Sequence, residues 1–203
     1  MDRSVQKTGK RGRPRSFCSE AVLDAAVQVF WEKGYDGASL DDLTKAMGIG
    51  RPSLYAAFGD KRGLFLRVLE RYGETRGRCG VVALADEDVT QALTGFFERT
   101  LSAQTAEGCP SGCLIGSSVG AALGAVEGVD EIVRGMDRAT ECVLSDRMKA
   151  AIEAAQLPAN FPVRERARLV GDLVHAQARR ARSGEPADEL HSEIASKVDA
   201  VLR

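Results

Sequence analysis

The stretch from Ser39 to Phe65 restricts the fold more than any other part of the chain, because its residues mark the ends of short helices. Ser39 is a preferred N-cap residue, and Asp42, three positions later, completes a capping box. Gly48 lies where a helix often ends on a left-handed residue. Pro52 suits the first turn of the next helix, where its missing N–H is not needed. The spacing predicts two helices joined by a tight turn.

Apolar residues at helical spacing give each of these helices one inward face. They are Leu40, Leu43 and Met47 in the first helix and Leu54 and Phe58 in the second. Asp60 then caps a third helix, which begins at Lys61. This pattern is a helix-turn-helix, in which the second helix enters the major groove of DNA. A supporting helix is expected from about Ser19 to Lys33, with Trp31 packing at its rim.

These residues resemble the DNA-binding domain of TetR/AcrR-type bacterial transcriptional regulators. The match covers roughly residues 16–75, with Thr44 departing from the alanine usual in that motif. The residues that carry it are Gly48, Ile49, Leu54, Tyr55, Phe58 and Lys61 around the turn, and Phe30, Gly34 and Tyr35 upstream. The resemblance implies an all-α protein of about nine helices, with an N-terminal three-helix helix-turn-helix domain and a C-terminal ligand-binding and dimerisation domain.

The candidate DNA contacts differ in their chemistry. Arg51 can read guanine through two hydrogen bonds or take a phosphate, and Ser53 can donate to either. The N-terminus of the helix capped by Ser39 can hold a phosphate. The resemblance implies phosphate contacts by Tyr55 and Lys61. The full predicted set is Arg13, Arg15, Ser39, Arg51, Pro52, Ser53, Tyr55 and Lys61.

The N-terminal residues 1–15 form a basic arm that we predict to be flexible. Arginines on such an arm, Arg13 and Arg15 here, can enter a narrow minor groove, although a solubilising tail has the same composition. Residues 1–78 carry 15 Lys/Arg against 10 Asp/Glu, whereas residues 79–203 carry 13 against 19. A basic head on an acidic body suits a polyanion that binds at one end.

The rest of the chain is predicted to be helical, because proline and aromatic residues are few and alanine is abundant. We divide it into the arm 1–15, a DNA-binding domain 16–60, a connecting helix 61–80 and a C-terminal domain 81–203. Within the last, helices are expected over 87–106, 129–156 and 163–182, with one more helix near the C-terminus. The resemblance implies that the final pair, about 163–203, forms a homodimer interface; packing within one chain is the alternative.

Glycine recurs at every fourth position between Gly108 and Gly128, in a stretch with no charge from Gly108 to Val126. Such a series occurs in membrane helices, but this stretch is too diluted by glycine, serine and proline to provide the roughly 20 apolar residues of a span. We therefore predict a buried helix from about Cys113 to Val126. Its small residues would allow another helix or a ligand to come close.

The sequence C-P-S-G-C places Cys109 and Cys113 four residues apart, which is not the spacing of redox or zinc motifs. A thiol sensor, a metal site and purely structural cysteines remain alternatives; Cys142, His175 and His191 would join a metal site only through folding. An odd total of five cysteines favours free thiols. No metal or cofactor is predicted. The candidate effector or sensor residues are Phe96, Phe97, Cys109, Cys113 and Cys142.

The predicted function is a transcriptional regulator, a repressor rather than an enzyme, that binds a near-palindromic operator in double-stranded DNA as a dimer. An unidentified small-molecule or redox effector would release it. One competing hypothesis is an all-helical thiol oxidoreductase using Cys109 and Cys113; another is a nonspecific architectural DNA binder. The N-terminus has no apolar leader, so a cytoplasmic protein without a membrane partner is expected.

Overall fold

A computed structural model describes residues 20–203, and within that range every regular element is helical. The predicted all-α fold of about nine helices is confirmed. The nine α-helices of the described residues are α1 Glu20–Gly37, α2 Leu40–Met47, α3 Arg51–Phe58, α4 Lys61–Thr75, α5 Val89–Gln104, α6 Val129–Glu153, α7 Val163–Arg182, α8 Ala187–Ser192 and α9 Ile194–Leu202.

The first three helices form the N-terminal head. Leu23, Val27 and Phe30 of α1 are buried, as their spacing predicts. Trp31 is buried too, with only 1% of its surface exposed, so its predicted place at the rim is wrong. The reason is tertiary: the indole packs edge-on against Tyr72 of α4, with ring centroids 5.4 Å apart.

The head shares its hydrophobic core with later parts of the chain. Leu54 of α3 and Phe65 of α4 belong to the same buried cluster as Leu114, Val119 and Val129. Residues from beyond position 110 therefore complete the core of the head. This cluster crosses the boundary between the connecting helix and the C-terminal domain that we drew at residue 80.

A second buried cluster holds α5 to α9 together. Its largest members are Leu93 and Phe97 of α5 and Leu144 and Met148 of α6. A five-residue 3₁₀ turn, Val81–Ala85, leads from α4 into this body. No helix in the described residues is long and apolar enough to cross a membrane.

The predicted helix from Cys113 to Val126 is wrong. The chain instead makes a π-helical turn over Leu114–Ser118 and a 3₁₀ turn over Gly120–Ala122. Gly112, Gly124 and Gly128 have φ angles of 86°, 72° and 90°. Because these left-handed conformations interrupt a right-handed helix, the stretch has an irregular backbone. The predicted close approach of another helix is nevertheless present at Gly112, where an added Cβ would lie 2.6 Å from the Ala178 carbonyl oxygen of α7.

The single predicted C-terminal helix is divided between α8 and α9. At the break, the Ser192 hydroxyl donates to the Glu189 carbonyl over 2.7 Å. Such a side-chain bond competes with the regular helical ladder. The carboxylate of Glu193, the residue between the helices, bonds to Arg180 of α7.

Candidate DNA-binding surface and body cavity

The capping box at the start of α2 is present as predicted. The Ser39 hydroxyl accepts from the Asp42 amide at 3.1 Å, and the Asp42 carboxylate accepts from the Ser39 amide at 3.1 Å. Lys33 of α1 lies 2.8 Å from the same carboxylate. Hydrogen bonds from Lys33 first, and from Ser39 second, lower the pKa of Asp42 to about 2. The start of α2 is therefore tied to α1.

The turn between α2 and α3 is made by two glycines. Gly48 ends α2 with φ 64° and ψ 28°, the left-handed conformation that its position predicts. Gly50 precedes α3, and Pro52 lies in the first turn of that helix. Leu54 is fully buried and fixes the inward side of α3. This arrangement leaves the opposite side of α3 facing outward.

The outward side of α3 carries the predicted reading residues. Arg51, Pro52 and Tyr55 are exposed, and Ser53 is half-buried. Tyr55 is 46% exposed, so both its ring and its hydroxyl are accessible at the surface. These four residues, with Ser39 and Lys61 nearby in the chain, form the surface that we call the reader.

Two cations of the reader already have partners within the chain. Arg51 lies 2.9 Å from the carboxylate of Asp41 on α2. Lys61, the first residue of α4, lies over the Tyr35 ring, with Nζ 4.7 Å from its centroid. Both cations are at the surface, where they can exchange these partners for phosphate. The predicted arm contacts, Arg13 and Arg15, lie outside the described residues.

The body contains a cavity of about 760 Å³ between α4, α5, α6 and α7. We call it the body cavity. One part of its wall comes from Trp31 of α1 and Tyr72 of α4, and another from Cys113 and Ile115 of the segment before α6. Apolar side chains such as Met136 make up much of the remaining wall. The cavity is large enough for a drug-sized, mainly apolar molecule.

The predicted effector residues do not all meet at this cavity. Phe96 and Cys113 line it. Phe97 is buried in the second core, Cys109 is half-buried against the first, and Cys142 is exposed on α6. The structure therefore separates Cys113 from Cys142. The two cysteines of the C-P-S-G-C motif both pack against the first core, but Cys113 also lines the cavity and Cys109 does not.

Sequence reasoning missed two polar residues of the cavity wall, Tyr72 and Cys79. The Tyr72 hydroxyl donates to the Cys113 sulfur over 3.1 Å. Burial, and then the nearby Cys113, raises the pKa of Tyr72, so the phenol stays protonated and remains a donor. Burial is also the main reason that the pKa of the Cys79 thiol is raised.

The part of the cavity wall formed by α6 and α7 carries charged groups. Asp137 of α6 lies 3.8 Å from His175 of α7. Burial raises the pKa of Asp137, while His175 acts against that shift and Asp172 adds to it. Within residues 20–203, no group of three or more His, Cys, Asp or Glu side chains is placed to hold a metal ion.

Comparison with known proteins gives consistent results. The family model "Bacterial regulatory proteins, tetR family" matches residues 22–68. The HTH-type transcriptional repressor ComR of Escherichia coli K12 is 28% identical over 182 residues, which is 89% of this chain and 87% of ComR. The repressor BdcR of the same organism is 48% identical over 75 residues, 37% of this chain and 36% of BdcR.

One solved structure shares both the fold and a substantial part of the sequence. It is a cysteine mutant of the TetR family transcriptional regulator CifR in complex with 26-bp double-stranded operator DNA. The identity is 30%, the match covers 93% of this chain and 99% of that chain, and the TM-score is 0.85. The resemblance therefore extends through the body as well as the head.

Proposed function

Because the chain belongs to the TetR family of bacterial transcriptional regulators, we propose that it is a cytoplasmic repressor released from its operator by a compound in the body cavity. One observation carries the proposal: the cavity wall includes Trp31 of α1 and Tyr72 of α4, the helices that pack behind the reader. A ligand in the cavity would directly contact α1 and α4, the helices against which the reader packs. The relatives ComR and BdcR are repressors.

In this proposal α3 enters the major groove with its N-terminal residues toward the bases. Arg51 leaves Asp41 to read a base or to bind a phosphate, and Ser53 adds a short polar contact. Ser39, Tyr55 and Lys61 bind phosphates, and Pro52 allows close approach of the backbone. Arg13 and Arg15 reach the minor groove. Few side chains are left to read bases, so specificity depends also on the spacing of two heads.

We propose that the second head comes from a homodimer formed through residues 163–203. Between α7 and α9 runs a shallow groove in which Leu173, Ala176 and Ala200 lie beside the charged side chains of Arg180, Glu193 and Lys197. Such a surface suits close packing against the same helices of a second copy. The two reader surfaces would then meet half-sites about 34–36 Å apart on a near-palindromic operator.

Selection of bound fragments from the source genome tests the DNA-binding proposal and yields the operator. Arg51→Ala should weaken binding to that operator by about 5- to 150-fold, the effect of losing one bidentate base contact. Arg67→Ala is the matched control, because Arg67 is an exposed arginine of α4 outside the reader. If Arg51→Ala bound the operator and random DNA as the wild type does, the reader assignment would be wrong.

Light scattering tests the dimer independently of DNA. We expect twice the chain mass at working concentration, and two heads bound per palindromic operator. A monomer that binds the palindrome without cooperativity would contradict the dimer. Unchanged operator affinity in the presence of every tested small molecule, together with no preferred site, would favour an architectural DNA binder.

A specific observation also favours thiol chemistry as the input, through Cys113 rather than Cys109. Cys113 lines the body cavity and accepts a hydrogen bond from Tyr72, whereas Cys109 does not line the cavity. A hydrogen bond to sulfur stabilises the thiolate, the nucleophilic form. An activated alkene would add there: the S–C bond forms at one alkene carbon as the C=C π bond breaks, and the proton lost from the thiol is taken up at the other alkene carbon.

N-ethylmaleimide is a suitable probe for this input. Treatment should weaken operator binding by the wild type and by Cys109→Ser, but not by Cys113→Ser. If treated Cys113→Ser lost operator binding as the wild type does, the effect would come from another thiol. Thiol-dependent peroxide turnover by the untreated protein would instead support the oxidoreductase hypothesis.

A further inference from the structure

Helix α1 contains a break that exposes its last carbonyl groups to other partners. Gly34 has φ 71° and ψ 178°, a conformation outside the helical region that almost only glycine adopts. In an uninterrupted helix each carbonyl accepts from the amide four residues later. The break at Gly34 disturbs this ladder for the residues just before it. The carbonyls of Trp31 and Glu32 are therefore available to other donors.

The body supplies those donors from two separate places. The Ser118 hydroxyl donates to the Trp31 carbonyl over 2.8 Å. The Arg182 guanidinium, at the end of α7, donates to the Glu32 carbonyl over 2.7 Å. The partners are 87 and 150 residues apart in sequence. We call these two hydrogen bonds the latch.

The two donors are fixed to each other. Gly112 packs so tightly on α7 that an added Cβ would lie 2.6 Å from the Ala178 carbonyl oxygen and 3.1 Å from the Arg182 Cβ. Arg182 also donates to the Ser111 carbonyl at 3.4 Å. The segment that carries Ser118 is therefore packed directly against α7.

The same segment forms part of the cavity wall. Gly112, Cys113 and Ile115 line the body cavity. Leu114, between them, is fully buried in the core shared with the head. The segment that carries Ser118 therefore lies between the core of the head, the body cavity and α7.

We propose that the latch sets the orientation of the DNA-binding head relative to the body, and so determines which spacing of half-sites a dimer prefers. The inference rests on the proposed function, because head orientation matters only where two heads must meet spaced half-sites. Ser118 and Arg182 are positioning residues and touch no DNA. Their loss should reduce the selectivity for spacing while leaving contacts within each half-site unchanged.

The test compares three duplexes for each full-length variant: the selected operator, the operator with one base pair inserted between its half-sites, and random DNA. The wild type should prefer the native spacing over the longer one. Ser118→Ala and Arg182→Ala should each reduce that preference about fivefold, the effect of losing one hydrogen bond. Affinity for random DNA should not change. A loss of folding would weaken binding to all three duplexes together.

Two further variants distinguish the latch from general damage. Ser117→Ala removes a hydroxyl whose bond stays within the segment, to the Cys113 carbonyl, and should keep the native preference. Ser118→Thr retains a hydroxyl and should therefore keep the preference for the native spacing. The inference is overturned if Ser118→Ala and Arg182→Ala keep the full preference, or if Ser117→Ala loses it equally. A wild type that binds operator and random DNA alike overturns the proposed function, and the latch with it.

Discussion

The guanidinium of Arg51 lies 2.9 Å from the carboxylate of Asp41, so the main candidate for base reading is paired with an acid of the preceding helix. Both side chains are exposed, at 55% and 79%. An ion pair this exposed stabilises the fold by little. Its consequence is for the proposed DNA binding, because Arg51 would have to give up this partner before it could contact DNA.

Replacement of Asp41 by Asn should therefore tighten binding to random DNA by a few-fold. The change removes a negative charge near the phosphates and leaves Arg51 without a competing partner. Affinity for the operator should rise by the same factor, because the added affinity is independent of sequence, so discrimination between operator and random DNA should not change. Fluorescence anisotropy at two salt concentrations measures both effects. Glu70→Gln is the control: it removes the same charge from α4, away from the reader, and should change neither affinity. Weaker binding of random DNA by Asp41→Asn would contradict the prediction.

The hydrogen bond from Tyr72 to Cys113 predicts a difference in thiol reactivity. Tyr72→Phe removes the donor and leaves the ring, so alkylation of Cys113 by iodoacetamide at neutral pH should slow several-fold. The rate is measured by mass spectrometry of the Cys113 peptide. Cys142, exposed on α6, provides the internal reference in the same sample. A faster rate at Cys113 would show that Tyr72 shields the thiol rather than activating it.

The local signals that define the head were predictable from sequence because each acts over a few residues. Ser39, Asp42, Gly48 and Pro52 have the roles that their spacing predicts. The helix predicted in the glycine-rich stretch is wrong, because the glycine pattern there has two interpretations. A period of four suggests helix packing, but the same residue also provides left-handed turns, and Gly112 and its neighbours use that property.

The cavity and its chemistry were predictable only in part. Phe96 is an aromatic residue in the periodic stretch 87–106, and Cys113 belongs to the unusual C-P-S-G-C motif, so both could be selected from the sequence. Cys79, Tyr72 and Trp31 meet Cys113 only because α1, α4 and the segment before α6 pack together. The bond from Tyr72 to Cys113 joins residues 41 apart in sequence. No local pattern encodes such a pairing.

Gly34 gives a prediction about stability. Alanine at this position cannot adopt φ 71° and ψ 178° without strain, so Gly34→Ala should lower the free energy of unfolding by about 1–3 kcal/mol. Urea denaturation followed by circular dichroism measures the change. Gly37→Ala is the matched control: an added Cβ there makes only an ordinary contact, 3.6 Å from the Lys33 Cβ. The control should be neutral or slightly stabilising, because alanine favours helix. Equal destabilisation by both would assign the effect to the end of α1 rather than to the break.

The joint between α8 and α9 predicts how stability depends on pH. Arg180 donates to Glu193 at 2.5 and 2.7 Å and also bonds to Glu185. The hydrogen bond from Arg180 is the largest cause that lowers the pKa of Glu193 to about 2. Because a carboxyl in an unfolded chain titrates near pH 4.3, this group stabilises the fold above that pH. The stabilisation is lost as pH falls from about 4.3 toward 2.

Glu193→Gln should therefore reduce the dependence of the unfolding free energy on pH between about 4.5 and 2. The difference should be modest and should shrink with added salt, because Glu193 and Arg180 are both more than a third exposed. Urea denaturation at a series of pH values measures it. Glu189→Gln is the control: Glu189 is exposed on α8 and forms no ion pair within residues 20–203. A pH profile of Glu193→Gln that matches the wild type would mean that the Arg180 pair contributes nothing to stability in this range.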